Sequence, residues 1–120
     1  MNKVYCYSRC STCQKAKKWL EENGLAFEDR DIKENRPTAE ELRVWYKKSG
    51  LPLKRVFNTS GLKYKELGLS ARLPNLTETE QIDLLASDGM LVKRPVLVTE
   101  DCVLLGFRES EWIARLTPDA

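Results

Sequence analysis

No histidine occurs anywhere in the 120 residues. With cysteine, histidine supplies most zinc ligands, and cysteine itself is scarce, at four residues. Two of these, Cys10 and Cys13, form a Cys-X-X-Cys, which taken alone could be half a zinc site. Cys6 and Cys102 have no ligand-pair spacing, so no metal centre is expected. Also missing is any apolar run near the ~20 residues that a membrane span requires. The N-terminus lacks the charged, apolar and small-residue sections of a secretory signal, so a cytoplasmic location is expected. There thiols are kept reduced, and a Cys-X-X-Cys is more often catalytic or redox-sensing than structural. Charge of one sign is not in excess either. Lys and Arg number 20 against 18 Asp and Glu, and the net +2 points to no nucleic-acid partner. Linkers, repeats and low-complexity segments are absent, and the length suits one domain over 1–120 with a core of its own.

What is present is concentrated near the start. Val4 to Tyr7 is an apolar, aromatic run that reads as a strand, and Ala16, Trp19 and Leu20 then recur on one helical face. Cys10 therefore falls at the strand-to-helix turn. A helix start presents unpaired N–H groups and the positive end of the dipole, which favour an anion. For cysteine that anion is the thiolate, and in such turns the pKa falls from about 8.5 to between about 3.5 and 7.5. Cys10 is thus expected to be the low-pKa, accessible thiol. Cys13, one turn later, is spaced to resolve a mixed disulfide formed on Cys10. Ser11 and Thr12 make the turn polar, whereas Cys6 lies in the apolar strand and reads as a small core residue. Lys15, Lys17 and Lys18 read as a solvated helix face that also favours a thiolate and an anionic substrate.

The first helix is expected from Ser11 to Asn23, stopping at Gly24, with a second, parallel strand over Leu25 to Ile32. Thr38 with Glu41, and Thr77 with Glu80, are capping boxes that open two further helices. The first buries Leu42, Trp45 and Tyr46 and closes at Gly50; the second buries Ile82 and Leu85 and ends at Asp88-Gly89. Between them, Leu51 to Leu76 is cut by Pro52, Asn58, Gly61, Gly68 and Pro74 into short helical turns, with Leu62, Tyr64, Leu67 and Leu69 as packing residues. Met90 to Val98 and Cys102 to Gly106 read as an antiparallel hairpin. Ser110 to Leu116, carrying Trp112, Ile113 and Leu116, closes the chain as a helix ended by Pro118.

The motifs Cys10-Ser11-Thr12-Cys13-Gln14-Lys15-Ala16, Phe57-Asn58-Thr59-Ser60-Gly61 with Tyr64, Leu91-Val92-Lys93-Arg94-Pro95-Val96 and Gly106-Phe107-Arg108 together resemble the arsenate reductase (ArsC) and Spx family. The resemblance runs from about Val4 to Leu116. It implies a thioredoxin-like α/β fold, a mixed four-stranded sheet flanked by helices, with a helical insertion between the βαβ and ββα halves. It also implies a cis-proline at Pro95, Cys10 as nucleophile, Cys13 as resolving thiol, and Arg94 and Arg108 as oxyanion-holding arginines. Ser11, Thr12 and Pro95 complete the implied substrate site. A third arginine does not carry over: Asn58 stands at its expected place and brings no charge, so weak arsenate reduction is the expectation.

The resemblance implies no tightly bound cofactor, a monomer, and glutathione with glutaredoxin, or thioredoxin, as electron donor. The alternative it leaves open is a redox-sensing regulator that, like Spx, docks on the RNA polymerase alpha subunit. Such regulators continue past the last helix with a charged tail, and a chain stopping at Ala120 is expected on the enzyme-like side.

Overall fold

The computed structural model describes residues 2–116. Strand β1 (Asn2–Cys6) leads into helix α1 (Ser11–Glu22) and strand β2 (Phe27–Asp31). Four helices follow, α2 (Ala39–Ser49), α3 (Leu62–Glu66), α4 (Leu69–Arg72) and α5 (Glu78–Ser87), with short 3-10 turns between them. Strands β3 (Val96–Val98) and β4 (Val103–Leu105) and helix α6 (Glu109–Leu116) complete the order. The four strands form one sheet in the order β2-β1-β3-β4. β1 runs parallel to β2 and antiparallel to β3, which is antiparallel to β4. This is the expected mixed sheet with the helical insertion between its halves.

Alternation along the strands sorts the core into two layers. Val4 and Cys6 of β1, Leu97 of β3 and Leu104 of β4 turn to one face, where they pack with Cys13, Ala16, Trp19 and Leu20 of α1 and Trp112 of α6. Tyr5, Val96, Val103 and Leu105 turn to the other, against Leu42 and Trp45 of α2 and Ile82 and Leu85 of α5. Trp112 is fully buried, and its indole N–H donates to the Gly106 carbonyl at 3.2 Å. That satisfies the one polar atom of a large side chain. Both capping boxes form: Glu41 N–H donates to Thr38 Oγ1 at 3.1 Å, Glu80 N–H to Thr77 Oγ1 at 3.1 Å, and each glutamate accepts the return bond. Gly50 closes α2 in the left-handed conformation, φ 68°.

Several expectations are corrected. The run 90–98 is not one strand. Asp88 accepts a side-chain hydrogen bond from Met90 N–H at 2.9 Å, drawing Gly89–Leu91 into a 3-10 turn, the local competition that short polar side chains exert on backbone pairing. Val92 keeps only an isolated bridge to Phe57, and β3 starts after Pro95, which has no N–H to give a ladder. Tyr7 falls outside β1 because its carbonyl accepts from Cys10 N–H at 3.0 Å and turns the chain. Leu62, expected in the core, is 78% exposed, since the short α3 buries only its Tyr64 face. Ile113, next to the buried Trp112, is 45% exposed. Pro118 lies outside the described residues.

Gly89 is where the insertion is pinned to the sheet. A Cβ there would run into the carbonyl of Ile32, just beyond β2, with backbone rather than a movable side chain in its way. The 3-10 turn it opens leads directly into the segment bearing Arg94. Gly89→Ala is therefore expected to lower stability by about 1–3 kcal/mol, the usual range for overpacking. Denaturant midpoints of the two chains check this; an unchanged midpoint would show that the turn can move away from Ile32.

Candidate active site

The end of β1 and the start of α1 are tied by short-range bonds. Cys10 is the N-cap of α1 with extended backbone, φ −88° and ψ 115°, and its carbonyl accepts from Gln14 N–H at 3.2 Å. The Gln14 side chain reaches back to the Ser8 carbonyl at 3.0 Å. Ala16, Trp19 and Leu20 hold the helix on the sheet. Cys10 is left half-exposed, while Cys13, one turn on, has no exposed surface. All four cysteines are free thiols.

The expectation of an accessible first thiol and a buried second one matches this geometry, but the sulfur that its surroundings hold as thiolate is Cys13. The Cys6 thiol hydrogen-bonds it, as do the Tyr7 backbone N–H and the Cys10 thiol, and Arg94 adds an attractive charge. Against the opposing effect of burial, these lower Cys13 to about 6. Cys6 moves the other way, raised first by its bond to Cys13 and then by burial. The two opposite shifts are a property of both sulfurs together. Cys10, for its part, makes no side-chain capping bond at the helix start.

Cys10 opens onto a cleft of about 490 Å³. Thr12, Asn58, Arg94 and Arg108 line it, as the sequence suggested, and so do Arg55 and Lys93. Among the described residues the lining thus holds four cations and no carboxylate. Arg55 sits in the 3-10 turn Leu53–Val56, in the stretch with the weakest periodicity, where no pattern marked it out. Lys93 was visible only as the neighbour of Arg94. The expected shortage of positive charge at Asn58 is therefore corrected, because Arg55 and Lys93 bring charge from beside it. Ser11 and Pro95 are not among the lining residues, and Cys13 lies behind Cys10.

Arg94 is half-buried. Its guanidinium stands 5.4 Å from the centre of the Tyr7 ring, and Nη1 donates to the Met90 carbonyl at 3.5 Å. The buried Nε has no acceptor among the described residues. A buried donor left unpaired is uncommon in folded chains, and here it belongs to a cation on the wall of the cleft. The Arg94–Pro95 peptide is cis, and the Pro95 carbonyl accepts from Gly106 N–H at 2.8 Å. Asn58 is fixed by its N–H to the Leu91 carbonyl at 2.7 Å, and its Oδ1 accepts from the Ser60 hydroxyl at 3.3 Å.

A mixed βαβ–ββα sheet with a Cys-X-X-Cys at the start of its first helix and a cis-proline before its third strand defines a protein of the thioredoxin-like class. Within that class the chain belongs to the ArsC family, which residues 5–115 match. It is similar to an ArsC family related protein from Bacteroides fragilis, whose crystal structure superposes with a TM-score of 0.91 at 57% identity, covering 92% of this chain and 93% of that one. It is 52% identical to the uncharacterized protein YusI of Bacillus subtilis, over 90% of this chain and 92% of that protein. The regulatory protein MgsR of Bacillus subtilis is 28% identical, over 89% of this chain and 83% of the regulator.

A direct consequence is spectroscopic. Titrating the reduced protein by the ultraviolet absorbance of thiolate is expected to show one thiolate appearing as pH rises through about 6, and Cys13→Ser is expected to abolish that step. If the step survives in Cys13→Ser and disappears in Cys10→Ser, the anionic sulfur has been misplaced.

Proposed function

We propose that this chain is a thiol–disulfide oxidoreductase acting on an anionic substrate. The observation that carries the reading is a half-exposed Cys10 in a cleft lined by four cations, backed by a fully buried Cys13. The Cys10 thiol passes its proton to the Cys13 thiolate it hydrogen-bonds, and attacks one sulfur of a disulfide substrate. A mixed disulfide forms, and the other half of the substrate leaves as a thiolate, which takes up the proton from Cys13. Cys13 then attacks the Cys10 sulfur and expels the second thiolate. The substrate gains two electrons, and the protein ends with a Cys10–Cys13 disulfide for an external dithiol to reduce. Glutaredoxin with glutathione, or thioredoxin, would supply those electrons.

The cations give the cleft its selectivity. Arg94 lines the cleft together with Cys10, so an anionic group on the substrate meets a guanidinium charge there. With four cations present, charge does not argue against a tetrahedral oxyanion such as arsenate. Size does, because about 490 Å³ falls in the range of roughly 300–1,000 Å³ typical of organic ligand sites. An organic anionic disulfide is therefore the preferred substrate, with arsenate slower.

A single-turnover comparison tests this. The reduced protein is mixed with glutathione disulfide, a neutral disulfide or arsenate, and Cys10–Cys13 disulfide formation is followed by mass. Glutathione disulfide is expected to react fastest. Losing one charge-assisted contact of about 1.5–3 kcal/mol, Arg94→Ala is expected to slow it by about one to two powers of ten, with Arg94→Lys in between. Equal rates for charged and neutral disulfides would remove the role given to the cleft, and fastest turnover of arsenate would restore the oxyanion reading.

The similarity to the regulator MgsR favours a second reading: a redox-sensing regulator that docks on the RNA polymerase alpha subunit through a surface that changes when Cys10 and Cys13 oxidise. Binding of the reduced and oxidised chain to purified alpha subunit separates the two. A redox-dependent complex with no turnover of any disulfide would put the regulator first.

A further inference from the structure

Arg55 and Lys93 reach the cleft from two segments that are far apart in the chain but tied through the backbone. Lys93 N–H donates to the Val56 carbonyl at 2.8 Å, directly beside Arg55, and the bridge between Phe57 and Val92 continues the pairing. Arg55 N–H in turn donates to the Pro52 carbonyl at 2.8 Å. Gly106, also on the cleft lining, leaves room for the lysine: a Cβ there would stand 3.1 Å from Lys93 Cε. The two backbones are therefore fixed side by side, while both side chains are exposed.

These two cations differ in kind from Arg94, which is half-buried and engaged by the Tyr7 ring and the Met90 carbonyl. Arg55 and Lys93 make no ion pair and no side-chain hydrogen bond among the described residues, whose ion pairs are Lys17–Asp29 and Arg30–Glu28. Like charges gathered in one hollow repel each other, and the potential they focus there draws anions. Arg108, exposed on the same lining, adds to it. A substrate with one anionic group is met by Arg94 and leaves Arg55 and Lys93 unanswered. We propose, resting on the oxidoreductase reading above, that Arg55 and Lys93 form a second anion subsite. The preferred substrate is then a disulfide whose captured half carries two anionic groups, one for Arg94 and one for this pair. The guanidinium of Arg55 offers a planar fork to a carboxylate, and Lys93 a point charge beside it.

The experiment compares three disulfides on the reduced protein: bis(2-hydroxyethyl) disulfide, which is uncharged, 3,3′-dithiodipropionate, with one carboxylate on each half, and 2,2′-dithiodisuccinate, with two. Formation of the Cys10–Cys13 disulfide is followed by mass, and its rate is expected to rise at each step of the series. In Arg55→Gln, and again in Lys93→Gln, the ratio of the dithiodisuccinate rate to the dithiodipropionate rate is expected to fall about five- to tenfold, between the effect of an exposed ion pair and that of a charge-assisted hydrogen bond. Lys93→Arg, which keeps the charge, is expected to retain most of the ratio. Lys48→Gln removes the same charge from an exposed place on α2 and is expected to leave the ratio as it was.

Binding separates the subsite from the reading it rests on. Titration calorimetry of dithiodisuccinate into Cys10→Ser, which lacks the accessible thiol, reads the subsite without exchange, and adding Arg55→Gln is expected to weaken binding by the same factor. If that loss is seen while the parent chain exchanges with no disulfide, the subsite is upheld, and the oxidoreductase reading falls together with the substrate assigned to it. Equal parent rates for dithiodisuccinate and dithiodipropionate, or a ratio lowered as much by Lys48→Gln as by Arg55→Gln, overturn the subsite and leave the oxidoreductase reading standing.

Discussion

The structure turns on a sulfur that water does not reach, Cys13, whose surroundings favour its anion. An uncompensated anion in the interior is unfavourable by several kcal/mol, so Cys13 dictates what surrounds it. What offsets burial comes from the end of β1, from the N-cap of α1 and, as charge, from Arg94 on the cleft wall. All three must arrive together. That requires β1 at the centre of the sheet, paired with β2 on one side and β3 on the other. The first pairing fixes where the βαβ half sets α1 down, and the second brings Arg94 and Pro95 to its N-terminus. The aromatic group of Trp19, Phe107 and Trp112, with ring centres 4.8–6.2 Å apart, clamps α1 to α6 behind the site.

Seen this way the long helical insertion has a local task. It covers the sheet face opposite α1, with the Tyr5 ring of β1 packed at a tilt against Trp45 of α2, centres 4.8 Å apart. It also carries cleft-lining residues, Arg55 and Asn58 among them. The isolated bridge between Phe57 and Val92, with Lys93 N–H donating to the Val56 carbonyl at 2.8 Å, joins the insertion to the segment bearing Lys93 and Arg94. One wall of the cleft is therefore assembled from residues about forty apart in sequence, through a few backbone bonds rather than through a sheet.

What the sequence made legible follows that division. Elements set by local chemistry could be read directly: the two capping boxes, the glycine stop of α2, the strand-turn-helix around Cys10, and the hairpin pairing of β3 with β4. Arg94 and Arg108 came through the family resemblance, and both line the cleft. Arg55 could not be found, because its place depends on how a 3-10 turn of weak periodicity folds back over the sheet. Nor could the partnership of Cys6. In the sequence it is an apolar strand residue, and burial bears that out. That its sulfur meets Cys13 depends on the position of α1 over the last residue of β1, and no spacing rule along the chain expresses it. Leu62 failed for the converse reason: an apolar side chain on a helix of little more than one turn need not have a core to face.

The unequal exposure of the two site cysteines sets the direction of any exchange. A substrate in the cleft touches Cys10 and not Cys13, so the first covalent bond of such an exchange forms at the exposed sulfur. In the proposed exchange the mixed disulfide brings the second reaction inside the protein, where the two cysteines lie one helical turn apart and the effective concentration is far above that of a free thiol. The interior charge moves too. Before the reaction it rests on Cys13 among its donors, and afterwards Cys13 is neutral and the negative charge departs with the substrate thiolates. Those leave across a surface of four cations, which holds an anion in either oxidation state. A cleft of this kind favours binding and exchange of charged thiols without itself choosing between oxidation and reduction.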